Sequence, residues 1–480
     1  LKKNIISEFK MRKNTLYRII PVAIVALSVQ SCFVAKTYER PEVINEQNYR
    51  TDRLNSDSLS MANVPWRDLF SDPILIQYID KGLDTNLDIR VAMQNIEAAN
   101  AYFKQGKMGY LPTLSLGANY THSVPSKNTQ LGALFSNGDR VKVDQYDITG
   151  NFSWEADIWG KIRSNKRAFG ASYLQTVAAH QAVKTQLIAT IASTYYQLLS
   201  LDEQQRITKE TILNREKSLE TIIALKEAGQ VTEVAVKQNE ALLLNTRSQL
   251  LDINNNIKLM ENTFSILLAD NPESIKRSTL AEQKLNSDLT VGVPMQLLSN
   301  RPDVLAAEYG LMNAFEMTNV ARSNFYPSFK LTATGGLQSI KFDELFNTNS
   351  LFANIIGGLT QPLINGRQIR TQHQVSQANQ EIAFLNYKKA MLNASKEVSD
   401  ALYTYQAMDE KIGLKTKEVE AYSLAAEYSE ELQNNGMANY LEVLTAKENT
   451  LAAQLNLINT QFSKLNAIVQ LYKAVGGGVK

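Results

Sequence analysis

A single cysteine, Cys32, stands in 480 residues, so the chain can form neither an internal disulfide nor a cysteine metal cage. Histidine is almost as scarce, and His122, His180 and His373 lie too far apart in sequence for a zinc motif. Glycine (22) and proline (11) are few, as expected where long helices dominate. Charge of one sign is not in excess: 50 Lys and Arg against 48 Asp and Glu leave a net +2, which makes no case for nucleic acid. There is no G-x-S-x-G, no glycine-rich phosphate loop, and no His paired with a carboxylate at ligand spacing. Gly476–Gly478 is a terminal glycine run with no strand-to-helix context around it. Neither an enzyme nor a cofactor is expected. What the chain does have, 44% hydrophobic and 20% charged residues, fits an ordered protein, and its length suggests roughly three domains of about 150 residues.

The N-terminal stretch bears on the compartment. Arg12, Lys13 and Arg18 precede an apolar run from Ile19 to Leu27, which Val29-Gln30-Ser31-Cys32 closes. The run is shorter than the ~20 residues of a membrane-spanning helix and reads as a secretory signal. Met11 would begin a tidier signal than Leu1. The aliphatic-x-small-Cys ending resembles a bacterial lipobox, which implies that Cys32 is acylated and becomes the mature N-terminus. The competing reading is a buried free cysteine. No aspartate follows Cys32 to signal retention at the inner membrane, so an exported, lipid-anchored protein is expected.

The rest of the chain is one unit present twice. Gly109-Tyr110-Leu111-Pro112-Thr113 and Asn324-Phe325-Tyr326-Pro327-Ser328 lie 215 residues apart, an offset that also sets Ala92 on Ala307 and Ala99 on Ala314. Gly160-Lys161 faces Gly366-Arg367 at 206 residues, and Gly229 faces Gly436 at 207. Each copy opens with a helical stretch, 86–108 and 302–324. Asp72-Pro73 and Pro302-Asp303 are helix starts, with proline in the first turn and an acid near the positive dipole end. Two strand-like runs follow. Leu114, Leu116, Ala118 and Tyr120 alternate with polar or small residues, as do Tyr146, Ile148, Gly150, Phe152 and Trp154, and in the second copy Phe329, Leu331, Ala333 and Leu337. The run 351–360 alternates poorly. Such runs of about ten residues with terminal aromatics are the weak signature of membrane β-strands, and a water-soluble sheet shares the pattern.

The helices tip that balance. Stretches 162–228 and 369–435 lack proline and hold only Gly170 and Gly413 as glycines, so each would span ~100 Å if continuous. The returning stretches carry Leu441, Leu444, Leu451, Leu455, Ile458, Phe462, Leu465, Val469 and Tyr472, and Leu250, Ile253, Ile257, Met260, Phe264 and Leu267, with Glu448 interrupting the first seam. Steps of three and four predict paired helices of coiled-coil type. Four strands cannot close a membrane barrel, and an open edge in lipid leaves backbone groups unsatisfied. Two copies would give eight strands with a filled interior, and three would give twelve with room for a lumen. A trimeric tube is therefore expected.

Leu297-Leu298-Ser299-Asn300-Arg301-Pro302-Asp303-Val304, followed by Ala307-Glu308 and Ala314, resembles the LLxxRPDVxxAE signature of TolC/NodT-type outer-membrane efflux lipoproteins. Trp154-Glu155-Ala156-Asp157-Ile158-Trp159-Gly160-Lys161 is similar to their strand-to-helix turn, with Gln361 to Gly366 as its second-copy counterpart. Trp66 with Asp72-Pro73, and the end from Leu471 to Gly478, match too. The resemblance runs from about Cys32 to the end. It implies a mainly α, α+β fold. Four strands per chain would complete a 12-stranded barrel in the outer membrane above a periplasmic α-helical barrel. The assembly would be a homotrimer working with a periplasmic adaptor and an inner-membrane resistance-nodulation-division transporter. The expected divisions are a signal peptide at 1–31 and a lipidated linker at 32–65. Repeat 1 would cover 66–290 (strands about 112–155, long helices about 162–269) and repeat 2 would cover 291–480 (strands about 327–364, long helices about 369–474).

Within that resemblance Gly229 and Gly436 would be periplasmic tips that meet the adaptor. Leu441 matches a gate leucine, and Thr445 takes the place of a gate aspartate, with Glu442 and Glu448 close by. Leu441 can equally be a seam residue, and Glu448 a solvated surface charge. Arg301 with Asp303 is expected to be a structural ion pair or helix start, as are Pro302, Trp154, Gly160 and Gly366 in their turns. The expected function is a passive, gated exit duct for small molecules. The alternatives are a type I protein-secretion duct and a lipid-anchored coiled-coil scaffold without a pore.

Overall fold

The computed structural model describes residues 34–41, 65–130, 140, 142–283 and 301–477. Cys32 lies outside them. In chain order the elements are α1 (Trp66–Leu69), α2 (Pro73–Thr85), α3 (Leu87–Met108), β1 (Thr113–Ser123), β2 (Val143–Ala156), α4 (Lys161–Glu227), α5 (Glu233–Leu267), α6 (Pro302–Ser323), β3 (Ser328–Ser339), β4 (Leu351–Thr360), α7 (Gln368–Asn434) and α8 (Tyr440–Ala474). The duplication shows in element lengths. Helices α3 and α6 each have 22 residues, α4 and α7 each have 67, and α5 and α8 each have 35.

The helix starts are built as their residues dictate. Asp72 caps α2, its carboxylate accepting from the amides of Ile74 (2.8 Å) and Leu75 (3.4 Å), with Pro73 in the first turn. Asn86 does the same for α3 through the amides of Asp88 (2.9 Å) and Ile89 (3.2 Å). Among the described residues no helix is long and apolar enough to cross a membrane.

Contacts divide the chain into two compact units. The first comprises the described parts of Leu1–Pro41, Ala98–Leu174 and Tyr309–Leu385. It contains a four-stranded antiparallel meander in the order β1-β2-β3-β4. Beside the sheet, α3 and α4 pack ring on ring, Tyr102 on Phe169 and Phe103 on Tyr173. The segment after residue 33 is held by α6: the Asn319 side chain both accepts from the Lys36 amide (3.1 Å) and donates to its carbonyl (3.0 Å).

The second unit comprises the described parts of Glu42–Glu97, Gln175–Glu308 and Asn386–Lys480. Here α4 returns as α5, and α7 as α8, each pair an antiparallel hairpin. Glu216 meets Arg247 (2.7 Å) in the first, and Asp409 meets Lys464 (2.5 Å) in the second. The core gathers residues from both hairpins and from α2, including Leu75, Ile79, Ile191, Tyr195, Phe264, Val469 and Tyr472. Ile253, Ile257, Phe264, Leu451, Ile458, Val469 and Tyr472 of the expected seams are buried. Leu441 is not: it is 56% exposed, and Val443 is buried in its stead. The reason is local. Tyr440 packs against the Ile222–Ala235–Val236 cluster, and the residue three positions on, Val443, shares its face while Leu441 is turned about 100° away.

Candidate functional site

The sheet has two chemically opposite faces, fixed by register. Leu116, Gly150, Gly335 and Ala353 lie in line across the strands, as do Ala118, Ile148, Leu337 and Leu351. Among the described residues much of this apolar face lies open: Leu116 is 83% exposed and Ile355 72%. The other face carries Asn119, Asp147, Asn151, Thr334 and Gln338, and is laced by Gln338 donating to Asp147 (2.8 Å) and Thr334 to Asn151 (3.0 Å). Strand β4 breaks the rule by placing Phe352 and Ile356 on the polar side, which is why 351–360 alternates poorly in sequence. Among the described residues, strands β1 and β4 each keep one edge without a partner in the sheet.

The turns at the helical end of the sheet are tied by the two tryptophans of the Trp154–Lys161 motif. Trp154 Nε1 donates to the Tyr110 carbonyl (3.0 Å), and Trp159 Nε1 to the Pro327 carbonyl (2.7 Å) while its ring stacks on Tyr326. The duplicated aromatic-Pro sequences are therefore the turns that these rings grip. Gly160 (φ 75°) and Gly366 (φ 60°) both take the left-handed conformation just before the long helices. Asp157 then starts α4 by accepting from the amides of Ile162 (2.8 Å) and Arg163 (2.9 Å).

Arg301 is 3% exposed and fully engaged. It makes a fork to Asp303 (3.0 and 2.7 Å), a bond to Glu397 on α7 (2.7 Å) and a bond to the Ala474 carbonyl at the end of α8 (2.8 Å). Burial works against the Arg301 charge, but these partners outweigh it and hold its pKa above the ordinary value. Burial likewise pushes the Asp303 carboxyl up, and Arg301 more than reverses this, so its pKa is lowered. Pro302 opens α6 beside this pair. The arrangement clamps a helix start to a helix end. It has no group poised for proton transfer.

The two tips are twins. Gly229 (φ 76°) and Gly436 (φ 72°) follow α4 and α7, and each ends its helix with a Schellman pair. The amide of Gln230 reaches the Leu225 carbonyl and that of Gly229 reaches Lys226 (both 2.9 Å). In the second copy Met437 reaches Leu432 (2.8 Å) and Gly436 reaches Gln433 (3.0 Å). No atom lies within 4 Å of where a Cβ would stand on either glycine, so only backbone conformation demands glycine inside the chain. Asn439 caps α8 by accepting from the Glu442 amide (3.1 Å). Leu441 and Glu442 then face outward, and the Thr445 hydroxyl is used within the helix, donating to the Leu441 carbonyl (2.8 Å).

Three clusters escaped the sequence reading. Arg215 of α4, 13% exposed in its side chain, pairs with Glu448 of α8, whose side chain keeps 37% exposure and so is both partnered and partly solvated. Burial lowers the Arg215 pKa and Glu448 opposes that effect. Asn239 of α5 donates to the Tyr440 hydroxyl, whose pKa burial pushes up to about 12. Asp72, beyond capping α2, accepts from Tyr195 (2.8 Å), Ser278 and Gln283 (3.0 Å). The one available signal was Glu448 itself, since a charge inside an apolar seam calls for an opposite charge.

Comparison with known proteins places these features. Residues 78–269 and 293–477 match the family described as outer membrane efflux protein. The solvent efflux pump outer membrane protein SrpC of Pseudomonas putida is 28% identical over 460 residues, covering 94% of this chain and 96% of SrpC. The probable outer membrane lipoprotein SilC of Salmonella typhimurium is 26% identical over 471 residues, 94% of this chain and 98% of SilC. The open-state structure of the Neisseria gonorrhoeae MtrE outer membrane channel superposes with a TM-score of 0.82 at 25% identity, over 93% of this chain and 98% of MtrE. With both halves matched, and with the 67- and 35-residue helices repeated after each pair of strands, this chain belongs to the outer membrane efflux protein family.

Proposed function

We propose that three copies of this chain form the exit duct of a tripartite efflux pump, carrying small molecules passively from the periplasm to the exterior. The observation that carries the trimer is the sheet: one face apolar and exposed, one polar, and both edges open. An open edge in lipid would strand several backbone groups at a cost of several kcal/mol each. An antiparallel meander of four strands has β1 and β4 running in opposite directions, so β4 of one copy can continue the ladder onto β1 of the next. Three copies give twelve strands and a lumen lined by the polar face. Leu363 and Ile364, 92% and 96% exposed after β4, add apolar surface for a neighbouring copy to cover.

The energy for export has to come from partners, a periplasmic adaptor and an inner-membrane transporter of the resistance-nodulation-division class. Residues 1–31 are read as the signal and Cys32 as the acylated N-terminus, a reading supported by the naming of SilC as a lipoprotein. Gly229 and Gly436 are read as the adaptor-facing tips, and Leu441, with Thr445 and Glu442, as the constriction behind the second tip. The naming of SrpC for solvent efflux and of CusC for cation efflux favours small-molecule cargo over protein secretion. Deleting the chain from its host should raise the accumulation of apolar drugs and solvents, and unchanged accumulation would contradict the reading.

A further inference from the structure

The connection between β3 and β4, residues 340–350, is not a bare turn. Leu345 is 3% exposed and pins it, while Ile340, Phe342 and Phe346 are 66%, 62% and 69% exposed. The backbone holds itself: Leu345 donates to the Phe342 carbonyl (3.2 Å), Asn347 to Glu344 (3.1 Å), and the Ser350 hydroxyl to Glu344 (2.8 Å). Lys341 and Glu344 pair at 2.9 Å. A folded loop that leaves two phenylalanines uncovered needs something to cover them.

The direction in which they point is fixed by ring contacts. Phe342 meets Tyr146 edge-on at 5.5 Å, Phe346 meets Phe342 at 6.4 Å, and Tyr146 lies against Tyr120 at 5.0 Å. Tyr120 and Tyr146 belong to the apolar face, in register with each other and on the side of Ile148 and Leu116. The loop therefore folds over the outside of the sheet and not over the polar face that would line a lumen. Height points the same way. The eight steps from Tyr146 to Trp154 span ~27 Å along the strand, or ~21 Å once tilted by ~40°, short of the ~25 Å apolar band of a membrane barrel. The phenylalanines prolong the apolar face beyond its Tyr146 end.

We infer that Phe342 and Phe346 form a foot that rests in the outer leaflet of the outer membrane, its occupant being lipid at the boundary of hydrocarbon and headgroup. Aromatic rings suit that boundary, where the apolar body is buried and the paired Lys341 and Glu344 stay in the headgroup water. The inference rests on the sheet's apolar face meeting lipid, and its test separates the two.

A nitroxide is attached to Phe346→Cys and, in a second protein, to Leu116→Cys in mid-sheet. Both are reconstituted in vesicles, with the unsubstituted chain as the blank for Cys32. Collision of the label with oxygen, which partitions into lipid, is compared with collision with a water-soluble nickel complex. At 346 the expected result is more collision with oxygen than with nickel, the reverse of a label in water. A nickel-dominated signal at 346 would overturn the foot, and so would an immobile label that neither reagent reaches, which would place a neighbouring copy there. If the label at 116 is also nickel-dominated, the lipid-facing sheet itself falls. If 116 is oxygen-dominated and 346 is not, only the foot does.

Discussion

Asp72 shows how much one side chain can carry here. It caps α2 and takes bonds from Tyr195, Ser278 and Gln283, residues that come from α4 and the segment after α5. Burial pushes its carboxyl up, but those three bonds and the Ile74 amide outweigh burial and leave its pKa below the ordinary carboxylate value. The stability it gives is therefore complete above the unfolded value and is lost as pH falls through the lower folded one. Asp72→Asn should lower the thermal midpoint at neutral pH, and its gap from the unsubstituted chain should close only below about pH 4. A gap that stayed constant down to pH 3 would show that the charge contributes nothing. Arg301 makes the complementary case. Arg301→Met should cost about 1–3 kcal/mol, because the Ala474 carbonyl loses its partner while the half-exposed Asp303 and Glu397 carboxylates can turn to water. Chemical unfolding of the two proteins measures it. The Asp303 contact was legible from adjacency in the sequence. Glu397 and Ala474, 96 and 173 residues away, were not, since nothing local marks them.

At the scale of elements, the long helices were legible almost to the residue, because proline is absent inside them, each holds a single glycine, and glycines stand just past their ends. Strand β4 was legible only in outline, as Phe352 and Ile356 blur its alternation. The Arg215–Glu448 pair, 233 residues apart, depends on which helices lie together, which periodicity does not say. The tips allow a clean separation of roles. Gly436→Asn can keep φ near 72° and meets no neighbour, so it should fold normally and cost ~1 kcal/mol or less. Gly436→Trp should fold too, yet block assembly with the adaptor, read by co-purification. Normal co-purification with tryptophan at both tips would remove the docking role. Leu441 divides in the same way. Being 56% exposed, it should lose little stability as Leu441→Ala, whereas a constriction residue should raise single-channel conductance in planar bilayers. Unchanged conductance from well-formed particles would take Leu441 out of the gate.

At the scale of the whole molecule, three surfaces share one explanation: the exposed apolar face, the open edges of β1 and β4, and Leu363 with Ile364 after them. The anchor is secondary in this account. Cys32→Ala should abolish palmitate labelling, while particles persist at lower yield because the barrel itself inserts, and label retained by that variant would remove the lipobox reading. The most direct test is the mass of the intact particle, extracted from membranes in mild detergent and weighed by native mass spectrometry. Three chains per particle is the predicted result. A particle of one or two chains as the only species would leave the edges of a four-stranded sheet unclosed, and would contradict the duct.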